Sequence, residues 1–390
     1  MTEQQTQTLP FKFSGNGSEY FKIWIVNLIL TILTLGIYSA WAKVRTNRYF
    51  YGNTSLANAA FEYHATPEMI LKGRLIAFTA FVLYVLLSNF FPTVGSLFVA
   101  ILALLIPWVI WRSIQFNARM VSYRNVRFGF HGVLKEAYKI LALTPALPII
   151  IGAIFGGIAF LVLGKGTVVG VIASITFLAV ILIYPYIKIL LTSYYINKRQ
   201  YGQGQFSAEL SAKKYYMIYL ALIAWIFLFF IMIGIVINIV TQLTGGFYIK
   251  PEMMQQDDLS GMTETIFVGI ALLFYIVIFA LSSWVTAYTE ANVKNYVLNN
   301  TKLDNVLQLN SNIKVGKLFG IYATNILLLG ITFGLAYPWT IIRLKKYKIE
   351  STSAIIKGDI AQYVNQQQEA QSALGEEMGD AFDAELDLGL

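Results

Sequence analysis

The sequence predicts an all-α polytopic membrane protein. It should have about six full transmembrane helices, two re-entrant or short-spanning helical hairpins, small cytoplasmic β-hairpins, and internal repeats. Three observations predict this. Of the 390 residues, 57% are hydrophobic and only 13% charged, where soluble domains carry about a quarter charged residues. Several apolar runs reach the ~20 residues that a helix needs to cross a bilayer. And the stretch Ile23 to Thr54, IWIVNLILTILTLGIYSAWAKVRTNRYFYGNT, returns without a gap as IYATNILLLGITFGLAYPWTIIRLKKYKIEST, Ile321 to Thr352. Asn27 aligns with Asn325, Thr34 with Thr332, Gly36 with Gly334, Trp41 with Trp339, Arg45 with Arg343 and Tyr49 with Tyr347. Residue types kept in register over that length mark an internal repeat.

Composition excludes several chemistries. There is no cysteine, so disulfides, thiolate metal sites and cysteine nucleophiles are ruled out. The two histidines, His64 and His131, follow Phe-Glu-Tyr and Phe-Gly-Phe and read as surface β-hairpin residues. The first residues, MTEQQTQTLPFKFSG, are polar and show no signal-peptide core. The net charge of +8 is uneven, because the tail 366–390 carries Glu369, Glu376, Glu377, Asp380, Asp383, Glu385 and Asp387 with no Lys or Arg. That tail reads as disordered. The basic residues are spread over all the polar loops, which favours anionic lipid over nucleic acid.

In chain order, the short alternating segment Phe11 to Gly15 precedes the apolar run Ile23–Trp41, which is interrupted at Thr34-Leu-Gly36. YFYGNTSLANAAFEYHA then reads as a hairpin about a Gly-Asn-Thr-Ser turn. Runs at about Leu75–Phe91 and Ser96–Trp111 are joined by Pro92-Thr-Val-Gly95, and runs Ile140–Leu163 and Val168–Leu191 by Gly164-Lys-Gly166. Runs Tyr216–Leu243 and Thr265–Ala287 are joined by a loop with Glu252, Asp257 and Asp258, and Leu318–Trp339 comes last. Pro107, Pro185 and Pro338 should kink or end their helices. The polar segments resemble one another, with Tyr49 to Leu56 matching Tyr296 to Leu303, so five units of an apolar hairpin plus a short β element are expected.

Orientation follows from charge. The segments between paired runs are rich in Lys and Arg and belong in the cytoplasm, while the loops within pairs are neutral, short or acidic. The first and last runs then have cytoplasmic-type sequence on both sides. Either they re-enter, turning at Gly36 and Gly334, or they span with a terminus outside.

The motif N-x₆-T-L-G-I-Y-x₂-W-x₃-R-x₃-Y from Asn27 to Tyr49, the Phe-x-Phe-x-Gly start and the repeat near the C-terminus resemble the YjgN-like family. That resemblance implies a bacterial inner-membrane protein of unknown function. It brings no catalytic residues.

No P-loop, H-E-x-x-H or G-x-S-x-G is present, and acids are nearly absent from the apolar runs. Catalysis, cofactors and metals are therefore not expected. The candidate ligand-facing residues are Asn27, Thr34, Gly36, Tyr38, Asn325, Thr332 and Gly334, because paired helix breaks in two repeats point to a membrane binding site. Amides there equally serve as glue between helices. Arg45, Arg48, Arg343 and Lys346 form a candidate rim for lipid phosphate. Two functions compete: a passive conduit or handler of lipid and amphipathic molecules, and a scaffold that binds a cytoplasmic protein through its β layer. Membrane lipids are the expected partners in the first reading and a cytoplasmic protein in the second.

Overall fold

The computed structural model describes residues 6–164, 166–243 and 260–371. Of the tail expected to be disordered, 366–390, residues 366–371 are described and are helical; the rest of it and the acidic loop 244–259 lie outside the described residues. The chain divides into two compact units: Met1–Ala212 with Asn295–Asn312 and Leu335–Leu390, and Lys213–Lys294 with Ile313–Gly334.

In the first unit, α1 (Gly17–Leu33) and α2 (Ser39–Gly52) are joined by a five-residue turn and pack on each other. The hairpin β3 (Thr54–Leu56) and β4 (Ala59–Tyr63) follows, then the antiparallel pair α3 (Pro67–Phe90) and α4 (Pro92–Arg119). Phe91 alone links that pair; Pro92, expected in the link, opens α4, where its missing N–H has no helical partner to lose. Gly95 lets the helices meet, since a Cβ there would lie 2.7 Å from the Ser88 Cα.

Next come β5 (Val121–Tyr123), β6 (Val126–Phe130), α5 (Leu134–Tyr138), a π-helical turn (Lys139–Leu143), α6 (Thr144–Leu163) and α7 (Gly166–Asn197). Pro107 in α4 and Pro185 in α7 do not end their helices, which run on to Arg119 and Asn197, and Pro338 sits in the first turn of its helix. β7 (Arg199–Tyr201) and β8 (Gly204–Ala208) lead into α8 (Ala212–Leu243) and the 40-residue α9 (Ser260–Asn299). β9 (Thr301–Leu303) and β10 (Leu307–Ser311) precede α10 (Val315–Ile331), α11 (Tyr337–Glu350) and β11 (Thr352–Lys357), and a further helical segment covers 360–371.

Among the described residues, five helical stretches are long and apolar enough to cross a membrane: Pro67–Phe90, Pro92–Arg119, Leu134–Val162, Gly166–Asn197 and Ala212–Ile239. This is a helical, multi-pass membrane architecture. It is not all-α, however.

The separate small β-hairpins expected from the sequence join into one sheet of eleven strands. The second strand of each hairpin pairs with the first strand of the next: Phe61 opposite Tyr123, Phe128 opposite Tyr201, Phe206 opposite Leu303. The two ends of the sheet are β1 (Thr6–Pro10), on β11, and β2 (Lys12–Phe13), on β3. β1 and β2 are consecutive pieces of one segment, and the Phe11 N–H donates to the Thr352 carbonyl between them. The sheet therefore closes on itself, which removes the unpaired edges that isolated hairpins would expose.

The first hairpin turns at Ala57-Asn58, not at Gly-Asn-Thr-Ser. Ala57 and Asn58 have φ of 47° and 60°, the left-handed pair of a type I′ turn. Gly52 instead ends α2, and Asn53 caps it by donating its side-chain amide to the Tyr49 carbonyl at 2.8 Å. Asn300 does the same to Tyr296 at 2.7 Å. The shared Tyr-x₃-Asn-Thr pattern, expected to be strand, is thus a helix terminus.

Candidate functional site

The sequence-predicted residues fall at two helix breaks with the same local geometry. At the first, the Thr34 N–H bonds to the Leu30 carbonyl at 3.0 Å and the Gly36 N–H to the Thr31 carbonyl at 2.8 Å. At the second, Thr332 bonds to Leu328 at 3.1 Å and Gly334 to Leu329 at 2.8 Å. Both threonine hydroxyls also donate to the i−4 carbonyl, at 2.7 and 2.6 Å. Gly36 has φ +93° and Gly334 φ +85°, a region that glycine enters without strain. The residues before them, Leu35 and Phe333, are each 95% exposed. Both breaks thus end in a bare apolar tip.

Below the first tip the structure gathers polar groups. Asn27 is buried, and its Oδ1 accepts from Arg45 Nη1 at 3.3 Å. The same nitrogen donates to the Tyr38 hydroxyl at 3.0 Å, while the Tyr38 N–H bonds to Thr34 Oγ1 at 2.9 Å. Asn27 Nδ2 is buried with no hydrogen-bond partner. Arg74 of α3 joins this group by donating to Ser39 Oγ, which in turn donates to the Gly36 carbonyl. Arg74 opens the run of α3 and was not singled out from the sequence. Arg48 points elsewhere and donates to the Ala65 carbonyl at 3.3 Å.

Asn325, Thr332 and Gly334 belong to the second unit, and Asn325 is buried there. In that unit the Tyr322 hydroxyl donates to Glu290 Oε2. Arg343 and Lys346 are exposed on α11, in the first unit. α11 packs against α1, with the Trp339 ring 5.1 Å from Phe21.

The histidines are not equivalent surface residues. His64 is half-buried, with its Nε2 2.7 Å from the buried Ser122 hydroxyl. Burial holds its pKa below the ordinary value and the Arg127 charge adds to this; the Glu62 carboxylate 3.7 Å away opposes both but is largely exposed and screened. His131 is exposed. Among the described residues no group of three His, Asp or Glu side chains is arranged to hold a metal.

A second candidate site lies inside the closed sheet. Phe11, Phe61, Phe128 and Phe206 stack around it at centroid distances of 6.3, 6.4 and 6.3 Å. The Tyr123 hydroxyl donates to the Leu56 carbonyl at 2.7 Å, and the Tyr201 hydroxyl to the Tyr123 carbonyl at 3.0 Å, so each aromatic ties its hairpin to the one before. The segment 360–371 covers the hairpin turns. Gln367 Oε1 accepts from the Gln203 N–H at 2.7 Å, Gln368 Nε2 donates to the Arg124 carbonyl at 2.7 Å, and the Tyr363 hydroxyl donates to Asp304 Oδ2 at 2.6 Å. Burial, then the Asp304 contact, raises the Tyr363 pKa far above its usual value, so the phenol stays a donor.

The chain resembles known proteins over nearly its whole length. It is 28% identical over 357 residues to the inner membrane protein YjgN of Salmonella typhimurium, which covers 89% of this chain and 88% of the relative. It is 26% identical over 385 residues to the inner membrane protein YjgN of Escherichia coli K12, which covers 95% and 94%. No solved structure matches it. The model of the family described as bacterial protein of unknown function (DUF898) matches residues 8–381, and the chain belongs to that family, as a multi-pass inner-membrane protein.

Proposed function

We propose that the protein handles lipid or other amphipathic molecules at the cytoplasmic leaflet, through helix breaks that re-enter rather than span. The carrying observation is the pair of matched turns that each leave one large apolar residue, Leu35 and Phe333, 95% exposed at the tip. Such tips are stable in hydrocarbon and costly in water. The broken backbone is satisfied locally by the threonine hydroxyls and the i−5 bonds to glycine, as irregular backbone at membrane depth requires. The Asn27, Tyr38 and Arg45 group lies one to two turns below the tip and offers a cation and hydroxyl suited to a lipid phosphate. The Lys- and Arg-rich strand segments favour a cytoplasmic sheet and cytoplasmic termini, as excess basic charge does in membrane proteins. A partner docked by strand addition is the weaker reading, because closure leaves the hairpins no common free edge.

A liposome assay tests this. Purified wild-type protein should speed exchange or permeation of an amphipathic probe. Gly36→Leu combined with Gly334→Leu should abolish the effect while the circular dichroism spectrum stays the same. If wild type matches empty liposomes for lipids, neutral solutes and ions alike, the reading fails and a scaffold remains.

A further inference from the structure

The closed sheet lines a partly open cavity of about 420 Å³, within the about 300–1,000 Å³ typical of small-molecule sites. Side chains such as Phe61, Phe128 and Phe206 form its wall, together with residues of the last turns of α7 and α9 and with Ile360, Tyr363 and Val364. Protein interiors ordinarily leave few voids larger than a water molecule. One cation breaks the apolar lining. The first residue of the leading strand is Thr54 in one hairpin, Val121 in the next and Thr301 in the last, but Arg199 in the third. Its guanidinium lies 5.1 Å from the Phe128 ring centroid and 5.4 Å from that of Tyr195, and Nη1 donates to the Tyr195 hydroxyl at 2.8 Å. Its Nε is buried and has no hydrogen-bond partner. No carboxylate among the described residues pairs with it. A buried charged donor without an acceptor is costly, and an anion beside it removes that cost.

We propose that this cavity binds a single aliphatic chain ending in an anionic group. The chain lies among the stacked rings, and the head accepts from Arg199 Nε. A fatty-acid carboxylate and a lysophospholipid phosphate share that chemistry. The site is separate from the helix breaks, so either can fail without the other.

The test uses the full chain in lipid nanodiscs with a palmitate analogue carrying a terminal diazirine. After irradiation, the label should map to residues that line the cavity, such as Leu307 and Leu309. Palmitate and lysophosphatidate should compete, while cetyl alcohol and cetyltrimethylammonium should not. The stronger of the two anionic competitors identifies the source of the head. Arg199→Gln should weaken competition by about ten- to a hundredfold. Leu307→Trp should block labelling by filling the cavity, which does not depend on Arg199. Label confined to the outer faces of the apolar helices, equal competition by the alcohol and the cation, or wild-type behaviour of Arg199→Gln would each overturn the proposal. The liposome assay with Gly36 and Gly334 variants is unaffected by any of these results.

Discussion

Single residues carry two tests that separate packing from function. The Asn27 side-chain oxygen accepts from Arg45, while its amide nitrogen is buried without a partner. If it acts as glue between helices, Asn27→Leu should lower thermal stability in detergent by about 0.6–2 kcal/mol, the scale of hydrogen bonds between membrane helices. Unchanged stability with lost probe exchange would instead make it a ligand contact. His64 gives a pH test. Burial holds its folded pKa below the ordinary histidine value of about 6.5, so the unfolded chain binds more protons in acid and stability rises with pH. That contribution is complete above about 6.5 and is lost as pH falls toward the folded pKa. Melting curves should show wild type losing more stability than His64→Gln between neutral and mildly acid pH; parallel curves would show that His64 does not titrate on unfolding. Asn27 stood out in the sequence as a polar residue inside an apolar run. Arg199 did not, because within one basic loop nothing sets it apart from Lys198. Its singularity needs the strand register, which assigns it the position that Thr54, Val121 and Thr301 hold elsewhere.

At the scale of elements, apolar length made the helix pairs legible, while their ends were misjudged. Helices α4, α7 and α9 run well past their apolar runs into polar sequence, since a helix is bounded by caps and not by hydropathy. The α3–α4 pair shows what fixes such a contact. A Cβ at Gly95 would meet backbone atoms of Ser88 at 2.7 Å or a little more, and backbone cannot move aside as a side chain can. Gly95→Ala should therefore destabilise the protein by about 1–3 kcal/mol, measured as a lower melting temperature in detergent. Gly52→Ala meets nothing within 4 Å and serves as the control. The strands were legible as alternating aromatics, but their turn was not. Gly-Asn can link two strands of a hairpin, but here it is used up in ending and capping α2 while Ala57-Asn58 takes the turn. Which hairpin pairs with which is long-range information, and local periodicity carries none of it.

For the whole molecule, orientation is the decisive prediction. The chain lacks cysteine, so single cysteines at Asn16, Asn58, Ser207 and Asn305, all exposed, report topology directly. None should react with an impermeant maleimide in intact cells. Labelling at Asn16 alone would turn the first hairpin into a full span. Multi-pass helical character was legible from composition, whereas the closed sheet was not, because its closure joins residues at opposite ends of the chain. Thr6 to Pro10 pairs with Ser353 to Lys357, and Lys12 and Phe13 pair with Ser55 and Thr54. That closure imposes an order of assembly during synthesis. The N-terminal segment can take its place on β3 as soon as the first hairpin emerges, but its other half waits until Lys357 has left the ribosome. Until then a strand edge stays open, through every intervening membrane insertion, and is exposed to mispairing. The last step of biogenesis is then the docking of β11 between β10 and β1, followed by the glutamine side chains of segment 360–371 settling over the turns. Ribosome-bound chains halted before residue 352 should accordingly be cut by protease within residues 6–10, and chains released after residue 371 should resist.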